Sequence, residues 1–272
     1  MNPISNGYQK LISSYKELED INSKMVSFVQ SEFPENSTLI AWGAVTYGSY
    51  VPGRSDFDFI IIVEQSLTIE EIREKIRLCY EYSGMTVENL DLIVIDRSSI
   101  ERSDYTAITA DDVKELDDMD FYIITHFGKV LLGDSEILKL FPRKELSEFY
   151  SFLVRGFRKA IQTRVLNKLY LDGDIKEFIE EHIVLLMLMY RVLFTFLKGE
   201  IWGKMESIDW VKSSLDDKGK NLKRLGEIIK EVYLKNGDYQ PKEENFEILV
   251  REAITEFLEL TAVTEKNGFT KS

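Results

Sequence analysis

The sequence predicts an α+β protein, with a small mixed-sheet domain over residues 1–142 and an all-α helical bundle over residues 143–272. Three observations lead there. Strand-like and helix-like segments alternate through the first half, the pattern of a sheet flanked by helices. After Pro142 the apolar periodicity is helical almost to the end. A length of 272 residues, at about 150 per domain, suits two cores.

The elements follow in order. Residues 8–33 place Leu11, Tyr15, Leu18, Ile21, Met25, Phe28 and Val29 at helical spacing, and Pro34 stops that helix. STLIAWGAVTYGS reads as a strand running into a glycine turn, with Gly48 and Ser49 at its end. DFDFIIIVE is a second strand, in which Phe57, Phe59, Ile61 and Val63 alternate with Asp58, Ile60 and Ile62. A helix over Ile69 to Tyr82 and a third strand, ENLDLIVID, come next. Ala110 to Phe127 is expected as a helix, and GKVLLGD as a short strand closing in a turn. Beyond the boundary, helices are expected at 144–170, 175–199, 205–214, 219–236 and 242–265. They are separated by LDGD, KGEIWG, SLDDKGK and KNGDYQPKE, all loop chemistry.

Composition excludes several classes. The aromatic complement of 16 Phe, 13 Tyr and 3 Trp rules out a disordered chain. A net charge of −13 argues against a nucleic-acid partner, because phosphate binding wants a basic surface. The acidic excess suits a cationic small molecule or a metal–nucleotide complex, and equally serves solubility. The single cysteine, Cys79, excludes an intrachain disulfide and sits on a helical pattern as a buried thiol. Two histidines, His126 and His182, leave little for a histidine metal site. The most apolar run, IVLLMLMYRVLFTF, carries Arg191 and reads as a buried helix, so no membrane partner is expected. MNPISNGYQK has no apolar signal core, so a cytoplasmic location is expected; a monomer or weak dimer is expected as well.

The chemistry sits in YGSYVPGRSDFDFIII, residues 47–62. Asp56 and Asp58, two apart on a strand, project from one face and repel unless a cation lies between them. Mg²⁺ fits, because it takes oxygen ligands and bridges carboxylates to phosphates. Gly48 and Ser49 offer backbone N–H groups and a hydroxyl to phosphate oxygens. Asp91, on a neighbouring strand, adds a third carboxylate. Arg54 could touch the triphosphate or be solvated at a loop tip, and Ser55 could do the same or simply serve the turn.

G-S-x(4)-R-S-D-x-D before an apolar strand resembles the signature of the DNA polymerase β superfamily of nucleotidyltransferases. The second half is similar to the aminoglycoside (streptomycin/spectinomycin) adenylyltransferases. That likeness rests on Glu180/Glu181, Arg191, Gly199/Ile201, Lys204 and Asp209/Trp210 within EEHIVLLMLMYRVLFTFLKGEIWGKMESIDWV. The resemblance implies a nucleotidyltransferase domain that moves AMP from ATP to a hydroxyl of a small, cationic acceptor such as an aminoglycoside, releasing pyrophosphate. It implies two Mg²⁺ on Asp56 and Asp58, with triphosphate on Gly48 and Ser49. Lys204 would reach the phosphates, Tyr233 would lie by the nucleotide, and Asp91 stands where the family carries its base. Glu180 and Glu181 would pair with acceptor ammonium groups, or merely favour a helix start through the macrodipole. Two other functions fit the residues. One is transfer to a protein or another small alcohol. The other is a non-catalytic, antitoxin-like nucleotide binder, which would have no need of a base.

Overall fold

The computed structural model describes residues 16–46, 56–64, 67–86, 89–166, 175–200, 203–215, 219–234 and 245–262. The chain divides into two compact units, Met1–Glu145 and Leu146–Ser272. Among the described residues no helix is long and apolar enough to cross a membrane.

The first unit is a six-stranded mixed sheet in the order β5-β4-β3-β2-β1-β6. Its strands are β1 (Thr38–Trp42), β2 (Phe57–Val63), β3 (Leu90–Asp96), β4 (Thr106–Ile108), β5 (Val113–Glu115) and β6 (Lys129–Leu132). β2 and β3 run parallel, and the other neighbours pair antiparallel. The β2–β3 crossover is α2 (Ile69–Ser83), started by a Thr68–Glu71 capping box and stopped by Gly84 at φ 72°. Because both sheet faces are covered, FDFIIIV is apolar at nearly every position rather than at alternate ones. One face carries Leu39, Phe57, Phe59, Ile61 and Leu92, packed on α1 (Lys16–Glu32) and α2 through Met25, Phe28, Ile72 and Cys79. The other carries Ile40, Trp42, Ile60, Ile62, Ile93 and Ile95. It packs on Phe121 and Ile124 of α4 (Asp118–Phe127). Cys79 is the buried thiol its helical pattern predicts, and burial pushes its pKa up to about 12.

Two expectations need correction. The first strand stops at Trp42 rather than running on to Gly48 and Ser49, because Gly43 turns left-handed at φ 66° into a 3₁₀ turn, Gly43–Val45. Residues 110–127 are not one helix. The β4–β5 hairpin occupies the start of that stretch, and α4 begins only at Asp118, where Asp117 and Asp120 form a capping box. A short helix, α3 (Arg97–Glu101), capped by the Asp96 side chain, is an element the periodicity gives no sign of.

The second unit is all helical: α5 (Leu146–Ala160), α6 (Ile175–Lys198), α7 (Lys204–Ser214), α8 (Lys220–Leu234) and α9 (Phe246–Ala262). The expected helix at 144–170 passes into a π-helical turn at Ile161–Val165. α6 is the central element, burying Leu186, Met187, Met189, Tyr190, Leu193 and Phe194. The Tyr190 hydroxyl donates to Leu222 O at 2.7 Å. Glu256 caps the start of α8, accepting from the N–H groups of Asn221 (3.2 Å) and Leu222 (2.9 Å). Lys230 binds both carboxylate oxygens of Asp209, at 2.6 and 2.7 Å.

Two predictions follow from these local constraints. A Cβ on Gly43 would lie 1.8 Å from Asp58 Oδ2. Gly43→Ala should therefore cost about 2 kcal/mol or more in urea unfolding, and clearly less in an Asp58→Ala background, where the left-handed backbone cost of about 1–2 kcal/mol and the 3.0 Å approach to the Cβ of residue 58 remain. An equal cost in both backgrounds would show that the carboxylate does not press on Gly43. The second prediction concerns Glu206, which is buried with Oε2 lacking a hydrogen-bond partner among the described residues. Burial pushes its carboxyl up to about 7, Asp209 adds to the rise, and Lys230 and Arg191 oppose it. The folded chain thus keeps a proton that the unfolded chain has already released above its ordinary value of 4.5. Stability should fall as pH rises from about 4.5 to 7, by up to about 3 kcal/mol. Glu206→Gln should flatten that slope in unfolding measured at about pH 5 and 8.

Candidate active site

Parallel pairing of β2 and β3 sets Asp58 directly opposite Asp91, and antiparallel pairing of β1 and β2 sets Trp42 opposite Asp58. Trp42, Asp58 and Asp91 therefore form a row across three adjacent strands, on the face that also carries Ile60 and Ile93. Both aspartates are the second residue of their strand. Both are half-buried, whereas Asp56, just before β2, is exposed.

The electrostatics at this row are strained. Burial raises the Asp91 carboxyl above the usual carboxylate range, with Asp56 and Asp120 adding to the rise and Lys114 opposing it. Asp120 is raised for the same first reason, burial, and is again opposed by Lys114. Lys114 Nζ lies 3.4 Å from Asp120 Oδ2 and 5.5 Å from the centre of the Trp42 ring. Neither Lys114 nor Asp120 is singled out by sequence reasoning, because the stretch that holds them reads as a single helix. The D-D-x-D run of the capping box was its one visible signal.

The residues present suit a hard divalent cation. Their donors are carboxylate oxygens alone, and their mutual repulsion is what such an ion relieves. Among the described residues no group of three or more acidic, histidine or cysteine side chains is placed to hold a metal ion by itself. Mg²⁺ asks for less, since one or two carboxylates suffice when waters and phosphates supply the remaining ligands. Gly48, Ser49, Arg54 and Ser55 lie outside the described residues.

The other predicted residues belong to the helical unit. Lys204 is the first residue of α7, directly after Gly203 at the N-cap, and is half-buried. A cation there opposes the macrodipole, whereas the N–H groups of the same turn favour an anion. Tyr233 is buried in α8, 6% exposed. Glu180 and Glu181 lie beyond the first turn of α6, which starts at Ile175. The macrodipole fades within one turn, so a helix-start role does not account for them. Glu181 is exposed, and His182 is only 4% exposed, its Nδ1 3.8 Å from Glu181 Oε2. Trp210 packs edge-on against Phe194 within the helical unit.

No family model and no curated protein matches the sequence. Among solved structures, the chain is similar to the spectinomycin adenyltransferase AAD(9) from Enterococcus faecialis, determined with ATP and spectinomycin. The TM-score is 0.57 at 13% identity, covering 88% of this chain and 98% of that one. A toxin–antitoxin structure determined with AMP-PNP matches 52% of this chain and 95% of its own at 16% identity. Its TM-score of 0.31 is too low to carry an argument. The first likeness shows the fold: a mixed-sheet α/β unit followed by a helical unit, resembling the aminoglycoside adenylyltransferases.

Proposed function

We propose that the chain is a Mg²⁺-dependent nucleotidyltransferase that moves AMP from ATP to a hydroxyl of a small cationic acceptor of the aminoglycoside class. The observation that carries this reading is the register of Asp58 against Asp91, at the end of a sheet whose fold is shared with an adenyltransferase. Asp56 and Asp58 would hold two Mg²⁺ ions, and when bound these neutralise the triphosphate and orient the attacking and leaving oxygens. Gly48, Ser49, Arg54, Ser55, Lys204 and Tyr233 are assigned to the nucleotide, and Glu180 and Glu181 to the acceptor.

Asp91 accepts the acceptor's hydroxyl proton. Its carboxyl, raised by burial above its ordinary value, is a stronger base than an exposed aspartate. The freed oxygen attacks the α-phosphorus in line, the bond to the β-phosphate oxygen breaks, and pyrophosphate leaves. Positioning and charge neutralisation supply most of the acceleration. The acidic surface, at net charge −13, favours a cationic acceptor over an anionic one.

Pyrophosphate release with ATP and Mg²⁺, across aminoglycosides, spectinomycin and lincosamides, tests the reading. Asp56→Asn and Asp58→Asn should abolish release in a folded protein. Asp91→Asn should bind Mg·ATP almost normally yet lose on the order of 10²-fold in turnover. Near wild-type turnover in either of the first two would refute the metal assignment. Lost nucleotide affinity in Asp91→Asn would make that residue a ligand and not the base.

Nucleotide and acceptor roles separate by titration. Lys204→Ala should weaken binding of a non-hydrolysable ATP analogue and leave acceptor binding alone. Glu180→Gln and Glu181→Gln should raise the acceptor KM and reduce its salt sensitivity, because there is less attraction left to screen. Unchanged acceptor affinity in both glutamate variants would remove the case for a cationic acceptor.

A further inference from the structure

We infer that Lys114 is a built-in counter-cation of the carboxylate row, placing an ammonium among the aspartates and competing with free divalent ions that arrive without nucleotide. The inference rests on the reading of Asp56 and Asp58 as metal ligands.

The geometry is unusual for a lysine on this strand. Lys114 lies on β5, paired with Ala107 of β4, and β5 stands four strands from β1 in the sheet order. Four steps at strand spacing come to about 19 Å, far beyond the reach of a lysine side chain. Yet Nζ sits 5.5 Å from the centre of the Trp42 ring on β1. The β4–β5 hairpin must therefore curl back across the face that carries the Trp42–Asp58–Asp91 row. Only one residue pair, Val94 with Ile108, ties β4 to β3, which leaves the hairpin free to turn.

Once there, the ammonium is held on two sides. The Trp42 ring lies beneath it, and Asp120 Oδ2 stands at 3.4 Å. Asp120 is fixed in turn by the capping box, accepting from the Asp117 N–H at 3.1 Å. An exposed ion pair is worth little; here the Lys114 side chain is 41% exposed but the Asp120 side chain only 13%. At both Asp91 and Asp120 the charge of Lys114 is the first influence set against burial. One cation thus answers two carboxylates on different elements that repel each other.

A free divalent ion entering this row would meet an ammonium already in the field it needs. A nucleotide-bound ion brings its own phosphate oxygens and replaces more of the lost hydration. The arrangement makes metal binding conditional on nucleotide. It also eases the repulsion within the row in the resting protein without cancelling it.

Mn²⁺ titration of the nucleotide-free protein, read by electron paramagnetic resonance, tests this in wild type, Lys114→Met, Lys114→Arg and Asp58→Asn. Lys114→Met should bind Mn²⁺ at least about fivefold more tightly than wild type, since a like charge that acts on the row is gone. Lys114→Arg should stay within about twofold of wild type, and Asp58→Asn should weaken binding. Lys114→Gln serves as a second neutral variant should Lys114→Met fail to fold, as judged by circular dichroism. If affinity is unchanged in the neutral variants while Asp58→Asn weakens it, Lys114 is only an ion pair of the hairpin and the inference is overturned. If no Mn²⁺ site depends on Asp58, the metal reading falls and this inference falls with it.

Discussion

The parallel pairing of β2 with β3 is the constraint on which the α/β unit depends. It brings the starts of both strands to one end of the sheet, so the second residue of each meets its counterpart: Asp58 beside Asp91. Antiparallel pairing would send the two carboxylates to opposite ends. The parallel arrangement requires a crossover, which α2 supplies, and cover on both faces, which α1, α2 and α4 supply. Because the strands are apolar on both sides, the aspartates have no solvated face to turn towards. They stay at the rim, half-dehydrated and repelling each other, and a cation is what they lack.

This constraint was legible in the sequence because it is written in local patterns. FIIIV and LIVI are the uninterrupted apolar runs of doubly covered strands, and the helical spacing between them announces the crossover. The D-x-D pair at the start of one strand and Asp91 at the start of the next then share a face by the two-residue period. The β4–β5 hairpin was not legible. Its strands are three residues each, too short for alternation to show, and its acidic turn blends into the acidic first turn of α4. Lys114 was lost with it, because its role depends on a curl of the hairpin that no periodicity records. Gly43 was passed over for a similar reason. A glycine inside an apparent strand shows its purpose only when Asp58 is seen 1.8 Å from where its Cβ would be.

The helical unit was legible in outline for the opposite reason, since long amphipathic helices declare themselves by period. What period could not show is how charge is buried there. Arg191, which rules out a membrane reading of α6, is 8% exposed, and Glu206 on α7 is 7% exposed. The two influence each other across the helices, with the Lys230–Asp209 pair close by. Burying charge in a bundle core is costly unless it is compensated. Here compensation is partial, which is why Glu206 holds its proton to near neutrality. A surface helix with the same sequence would carry that glutamate ionised, and the pattern alone cannot tell the two apart.

The features that distinguish the candidate site all work against stability. Gly43 spends conformational entropy to let a carboxylate approach, and Asp91 is buried with like charges around it. A chain selected only to fold would replace each of them with something blander. On the reading proposed above, the Mg²⁺ carried by a triphosphate would offset the repulsion at the aspartates. The same logic separates Lys114 from the rest. It alone reduces the repulsion without any ligand, and so belongs to the resting state of the site rather than to the reaction.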